Sequence, residues 1–366
     1  MSIAGERLDW LRLARTEGVG PITFHRLLSK YETATRSLDA LPHIVKNKKI
    51  TICSRDDAER EIEALDKING RMIFAGDADY PLSLSAIEDA PPVLSVIGNI
   101  ALLQKQSVAI VGSRNASLNG RKLAHRMAHE LGGGGFVVTS GLARGIDTAA
   151  HEGAIESGTV AVVAGGVDVV YPKENETLYK QICERGAVVS ECALGMQPIA
   201  QHFPKRNRIV SGLSDGCVVV EANFRSGSLI TARLAAEQGR DVMAVPGSPL
   251  DPRAEGTNAL IRDGVTLVRN ATDVMETVQS FLKGPTALQH GLQDAAGHYE
   301  SAEIIEFPVE NLRETILPEL STTPVGVDEI IRTCNLKSAE VQGTLLELEL
   351  EGAVLRLPGN KVCLAK

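Results

Sequence analysis

Seven short apolar runs rich in β-branched residues divide the middle of this chain: Val108–Val111, Phe136–Thr139, Val160–Ala164, Ala187–Val189, Cys217–Val220, Val242–Val245 and Thr266–Val268. Between them lie stretches with helical spacing, Ser117–Leu131, Thr148–Ser157, Asn175–Arg185, Leu229–Gln238 and Thr257–Arg262. Continuous apolar strands must be covered on both faces. Alternating them with helices gives a parallel sheet with a helical layer on each side. The expected fold class is α/β, a doubly wound, Rossmann-like sheet. Twenty-one of the 34 glycines fall in residues 107–275, many where an apolar run ends. In such sheets, ligands bind where the carboxyl ends of strands lead into helix N-termini.

The flanks read differently. Leu8, Leu11 and Leu13 share a helix, Gly18-Val19-Gly20-Pro21 interrupts it, and Phe24, Leu27 and Leu28 continue on a second. Glycine past one helix and proline opening the next is the expected punctuation, and the pair suggests a helix-hairpin-helix. A third helical segment is expected over Asp56–Asn69, and Asp79–Pro81 with Ala90–Val93 reads as an extended connector. Residues 283–316 lack apolar periodicity and suggest a flexible acidic linker. Beyond Pro324 come a helix at Val327–Thr333 and a longer one at Ser338–Glu351. Strands Val354–Leu357 and Lys361–Leu364 follow, and together these make a winged helix. Its second helix carries Glu340, Glu347, Glu349 and Glu351 against Lys337 alone, whereas a helix laid on DNA should be basic. That module is expected to contact protein.

The net charge of −8 would count against a nucleic-acid partner if it were spread evenly. It is not: residues 107–275 hold 17 basic and 17 acidic side chains, while 276–323 hold 2 and 8. Local clustering therefore decides the matter. No run of eighteen apolar residues is present, and Met1–Trp10 carries Glu6, Arg7 and Asp9 where a signal peptide would be apolar. The six cysteines are scattered without a C-x-x-C pair. A cytoplasmic protein with no membrane association is expected, with no zinc site or disulfide framework.

Five loops could carry chemistry. Gly112-Ser113-Arg114 follows the first strand of the alternating region, where free N–H groups and a forked cation suit an anion. Ser140-Gly141-Leu142-Ala143-Arg144-Gly145-Ile146-Asp147 follows the second. Asp147 there is most simply the N-cap of a helix starting at Thr148, and His151 is most simply packed. Gly165–Lys173 follows the third, with Lys173 expected on the same edge as Arg114. His202–Arg208 sets Lys205, Arg206 and Arg208 beside Phe203, either cations for phosphates with a stacking ring, or a core aromatic beside a solvated face. Ser226-Gly227-Ser228 opens another helix as a phosphate-sized nest. Singly these signals are modest, but all five converge on one sheet edge.

Together, Val111–Arg114, the S-G-x-A-x-G-I-D loop at 140–147, D-x-x-Y-P-x-x-N at 168–175, Ser190-Glu191, F-P-x-R-N-R at 203–208 and Ser226–Thr231 resemble the DNA processing protein A (DprA, or Smf) family over nearly the whole chain. The resemblance implies a bacterial cytoplasmic binder of single-stranded DNA in natural transformation. Such proteins shield incoming strands, load a RecA-type recombinase and form homodimers, with no cofactor and no catalysis. It implies an N-terminal helical, SAM-like domain (1–75), a Rossmann-like single-strand-binding domain (76–282), an acidic linker (283–317) and a winged helix (318–366). Strand contacts are implied at Gly112, Ser113, Arg114, Lys173 and Asn207. Ser140, Gly141, Arg144, Phe203, Arg206, Ser226, Gly227 and Ser228 complete the candidate surface. A dimer interface is expected near Ala236, Asn258 and Leu267, because an edge strand must be covered.

Two enzymatic readings compete. A nucleotide phosphoribohydrolase on the same fold would need a P-G-G-x-G-T-x-x-E run, and the stretch after Glu221 lacks one. A nuclease could use Asp147, Asp168, Glu191 or Glu221 on Mg²⁺, although each has a plausible capping or turn role. No Walker A sequence is present.

Overall fold

The computed structural model describes residues 3–44, 50–282, 312–321 and 324–334. Beyond these it describes 336, 338, 341, 344–345, 348–349, 353–357 and 361–365. The chain forms two compact units, Met1–Gly291 and Leu292–Lys366.

The first unit begins with four helices, α1 (Ile3–Arg15), α2 (Pro21–Tyr31), α3 (Ala34–Ile44) and α4 (Arg55–Lys67). Pro21 sits in the first turn of α2, where its missing N–H costs nothing. Leu13, Phe24, Leu38 and Leu41 form the module's own core. Leu8 and Leu11 instead join Phe74 and Val93, which ties the module to the sheet. The sequence reading does not include α3, whose last turn holds Pro42.

The sheet has nine strands: β1 (Gly70–Phe74), β2 (Val93–Gly98), β3 (Ser107–Val111), β4 (Val137–Ser140), β5 (Thr159–Val162), β6 (Ala187–Ser190), β7 (Gly216–Val219), β8 (Asp241–Ala244) and β9 (Thr266–Leu267). A one-turn helix, α5 (Leu82–Ser85), precedes β2. The connecting helices are α6 (Leu118–Gly133), α7 (Ile146–Ala154), α8 (Glu176–Arg185), α9 (His202–Gly212), α10 (Gly227–Glu237), α11 (Glu255–Arg262) and α12 (Ala271–Leu282). Spatial order is β1-β2-β6-β5-β4-β3-β7-β8-β9. All pairs from β6 to β9 are parallel, while β2 runs antiparallel to both β6 and β1. Val108 and Ile110 pack on one face with Met127 and Leu131, and Ala109 and Val111 pack on the other with Leu94 and Ile209. Both faces are covered, as the apolar runs require.

Two elements correct the sequence reading. The expected connector pieces Asp79–Pro81 and Ala90–Val93 join β1 to β2, which extend the sheet, with Val93 already in β2, and buried Tyr80 donates its hydroxyl to Pro91 O at 2.7 Å. The His202–Arg208 run is the start of α9, with Pro204 in its first turn. Winding runs outward from β3 through β6, returns across α9 to β7, and proceeds outward to β9. The direction reverses between β3 and β7, and a crevice opens there at the strand ends.

The second unit contains α13 (Leu312–Ile316), β10 (Val325–Gly326), α14 (Val327–Cys334), β11 (Val354–Leu357) and β12 (Lys361–Leu364). Its strands pair antiparallel in the order β10-β12-β11, so the expected hairpin gains a third strand. Helix α13 falls at the end of the expected linker. Residues 283–311 and much of the expected helix Ser338–Glu351 lie outside the described residues. No helix among the described residues is long and apolar enough to cross a membrane.

Candidate nucleic-acid interface

The reversal point is built by two interlocked loops. Ile146 N–H donates to Ser113 O at 3.2 Å, which fixes the 112–114 turn against the start of α7. Gly145 has φ +84°, and a Cβ there would stand 2.3 Å from Ser113 O, so only glycine permits this approach. Between these loops, α9 and the N-terminus of α10 lies an open cleft of about 460 Å³.

Gly112, Ser113, Arg114, Phe203, Arg206, Asn207, Ser226, Gly227 and Ser228 all line this cleft. Arg114 is exposed, with its guanidinium carbon 4.9 Å from the Phe203 ring centroid. The Tyr171 ring lies beside Phe203, centroids 5.6 Å apart and tilted by 53°, so the guanidinium and two rings form one cluster. Ser226 caps α10 by accepting Ser228 N–H, and its hydroxyl pairs with that of Ser228 at 2.7 Å. Asn207 donates to Gly227 O at 3.3 Å, which joins α9 to this helix start. Gly141 and Arg144 border a neighbouring recess shared with Arg114 and Phe203. Lys173 is exposed at the end of its loop and outside the cleft lining.

Several residues have other duties than those expected. Ser140 is fully buried and donates to Ile110 O at 2.6 Å, so its hydroxyl pins β4 to β3 and does not face a ligand. Asp147 does not cap α7, whose N-cap is Gly145. It accepts the N–H groups of Gly141 and Ala143 at 3.2 and 3.3 Å, which shapes the loop. Burial raises its pKa, opposed by the Arg206 charge and by those N–H groups. Arg206 is not a surface cation: it is 6% exposed, and its guanidinium fills the space a Gly141 side chain would need. Desolvation lowers it to about 10, with the Asp147 charge acting the other way, so it stays charged at neutral pH. Arg208 is equally buried and pairs with Glu191 and Asp89. Of the three cations in the run, only Lys205 is exposed.

The carboxylates weighed for metal binding are likewise engaged. Glu221 accepts the Ser117 N–H at 2.8 Å and hydroxyl at 2.5 Å. Asp168 accepts Gly195 N–H on both oxygens. Phe224, 67% exposed in the loop beside the cleft between Asn223 and Arg225, is absent from the expected surface. An aromatic residue inside the polar run Asn223–Ser228 is its signal in the sequence.

His151 is packed, as expected: it is fully buried and its Nδ1 lies 2.7 Å from Thr159 Oγ1. Burial lowers its pKa to about 3, with the Arg206 charge acting the same way. The unfolded chain takes up this proton near pH 6.5, and the folded chain does so only near 3. Stability from this group is therefore complete above 6.5 and declines as pH falls toward 3. At about 1.4 kcal/mol per pH unit, roughly 3 kcal/mol should be lost between pH 6.5 and 4.5. Chemical denaturation across that range should show the loss, and His151→Leu should flatten it. An unchanged slope in the variant would contradict this assignment.

At the expected interface, β9 is the sheet edge, Leu267 is 44% exposed, and Ala236 is exposed on α10. Asn258 is already occupied, since its amide exchanges two hydrogen bonds with Gly247 at 3.1 and 3.0 Å.

Comparison with known proteins matches three successive segments of the chain. The family model of DNA recombination-mediator protein A matches residues 71–279, that of the DprA-like N-terminal HHH domain residues 4–64, and that of the DprA winged helix domain residues 302–360. Protein Smf of Escherichia coli is 37% identical over 318 residues, covering 85% of this chain and 82% of that protein. DNA processing protein DprA of Streptococcus pneumoniae is 48% identical over 201 residues, covering 54% and 71%. The X-ray structure of the Streptococcus pneumoniae protein superposes with a TM-score of 0.64 at 35% identity, over 75% of this chain and 98% of that one. A structure of DNA processing protein A from Helicobacter pylori, described for its single-stranded DNA binding mode, gives 0.53 at 28% identity, over 59% and 97%.

Proposed function

This chain belongs to the DNA recombination-mediator protein A family, and on that premise we propose that it binds single-stranded DNA without sequence preference during natural transformation, shields the incoming strand and loads a RecA-type recombinase. The observation that carries this reading is the Arg114 guanidinium over the Phe203 ring in the cleft beside the α10 N-terminus. Cations and N–H groups hold phosphates, and ring faces stack on any base, so neither carries a base code. Glu221, Asp168, Glu191 and Asp147 are committed to fold contacts, which favours a non-catalytic role over a hydrolase or nuclease. Titration of a labelled single strand and of its duplex tests the reading. At least tenfold tighter binding to the strand supports it, and equal binding overturns it.

The second part of the proposal is assembly. β9 pairs on one side only, and Leu267 within it is half-exposed. Two protomers meeting there about a twofold axis would cover both edges. They would also present two clefts to one strand, raising its effective concentration at the second. Light scattering should give twice 39.1 kDa. Leu267→Arg with Ala236→Arg should give monomers that bind short strands normally and long ones weakly. A variant that stays dimeric would place the interface elsewhere. The winged helix, with its acidic sequence, is assigned to protein contacts.

A further inference from the structure

The recessed surface continues past Arg114. Beside the cleft lies a groove of about 570 Å³ bounded by Arg114, Arg121, Arg144 and Thr148. Beyond it lies a third recess of about 430 Å³, bounded by Leu118, Arg121, Lys122 and His125, with Glu152 as its acidic member. Arg114 is common to the cleft and the first groove, and Arg121, Gly145 and Thr148 are common to the two grooves. The three recesses therefore adjoin one another in a row that leaves the strand ends and runs along α6.

The outer face of α6 carries cations opposite an apolar inner face. Ala124, Met127, Ala128 and Leu131 are buried, and Arg121, Lys122, His125, Arg126 and His129 are exposed. With 3.6 residues per turn, those five fall within an arc of about 140°, and Glu130 lies outside it. Among the described residues no carboxylate lies within 4 Å of Arg121 or Lys122, and Arg126 reaches Glu130 only at 3.8 Å. Among the described residues the packing of α6 therefore engages neither the Arg121 nor the Lys122 charge. From Arg121 to His129 the stripe runs about 12 Å, room for more than one phosphate. Leu118 at its head is 60% exposed and offers an apolar surface to an unstacked base.

We propose that the outer face of α6 is a second phosphate-binding tract, which carries the sugar-phosphate backbone of the same single strand after it leaves the cleft. The proposal rests on the reading of the cleft as a single-strand site and extends its footprint. The test uses the full chain with Arg121→Gln/Lys122→Gln and Arg121→Glu/Lys122→Glu, against a fluorescent oligo-dT hexamer and 20-mer. Thermal unfolding should be unchanged, since both side chains face solvent. The Glu pair should weaken 20-mer binding at least tenfold, the Gln pair by a smaller factor, and neither should alter hexamer binding more than twofold. The magnitude of the salt slope for the 20-mer should fall by about 1.4 in the Gln pair, at roughly 0.7 for each phosphate no longer neutralised. Unchanged 20-mer binding, or equal weakening at both lengths, overturns the tract while leaving the cleft intact. A wild-type chain that binds neither strand overturns the cleft reading, and the tract with it.

Discussion

Replacing Arg114 and Lys173 together by alanine should lower affinity for single strands by at least two orders of magnitude and leave the fold intact. Arg114 is exposed, lies over Phe203, and has no carboxylate within 4 Å among the described residues. Its charge is therefore available to a ligand at little desolvation cost. Lys173 is exposed at the end of the loop after β5. A charge-assisted contact is worth about 1.5–3 kcal/mol, so two independent ones give about 3–6 kcal/mol. Loss of the exposed guanidinium–ring contact should cost stability only about 0.5–1 kcal/mol. Equilibrium binding, with denaturation as the control, decides the matter. Wild-type affinity in the double variant would place the contact surface elsewhere. If Arg114→Ala alone produces the whole loss, Lys173 is outside the strand path, in keeping with its place outside the cleft lining.

Arg208→Ala should act on stability and not through the cleft, whose lining does not include it. The Arg208 side chain is 8% exposed and its guanidinium engages Glu191 and Asp89, while Arg15 donates to Glu191 O at 2.9 Å and forks onto Glu61. This network joins α9, the end of β6 and the N-terminal helices. Removing Arg208 leaves Glu191, itself only 22% exposed, without its counter-charge. Breaking a fully buried pair costs about 3–5 kcal/mol. Glu191 keeps some solvent, so the lower end of that range, about 3 kcal/mol, is expected. Adding Glu191→Gln should recover part of it, because the stranded charge is removed. A loss below about 1 kcal/mol on urea unfolding would show that the network does not hold the two parts together.

The sheet is legible in the sequence because its strands are apolar on both faces: Val108–Val111 and Cys217–Val220 have no place except between two helical layers. The crevice is legible through the glycine loops that follow those strands. Strands β1 and β2 are not, because Arg71 and the Ala90-Pro91-Pro92 stretch break the apolar pattern, and antiparallel pairing alone places them. Helix α9 is hidden by Pro204 and by cations that read as a solvated run. The same run conceals a division of labour: Lys205 faces solvent, Arg206 packs on Gly141, and Arg208 is locked to Glu191. Helical spacing separates the three only once the helix is recognised. Ser140 and Asp147 depart from expectation for a related reason. A hydroxyl or carboxylate at a strand end serves a loop's own N–H and C=O groups as readily as a ligand, and only the third dimension shows which.

The central claim is that the crevice between β3 and β7 holds phosphates of a single strand. The salt dependence of binding tests it most directly. With about four phosphates neutralised per protomer, log K for a single strand should fall against log salt with a slope near −3, at roughly −0.7 per contact. In Arg114→Ala the slope should become shallower by about 0.7, one phosphate's worth. A response that is flat in the wild type, or a slope that Arg114→Ala leaves unchanged, would contradict the account.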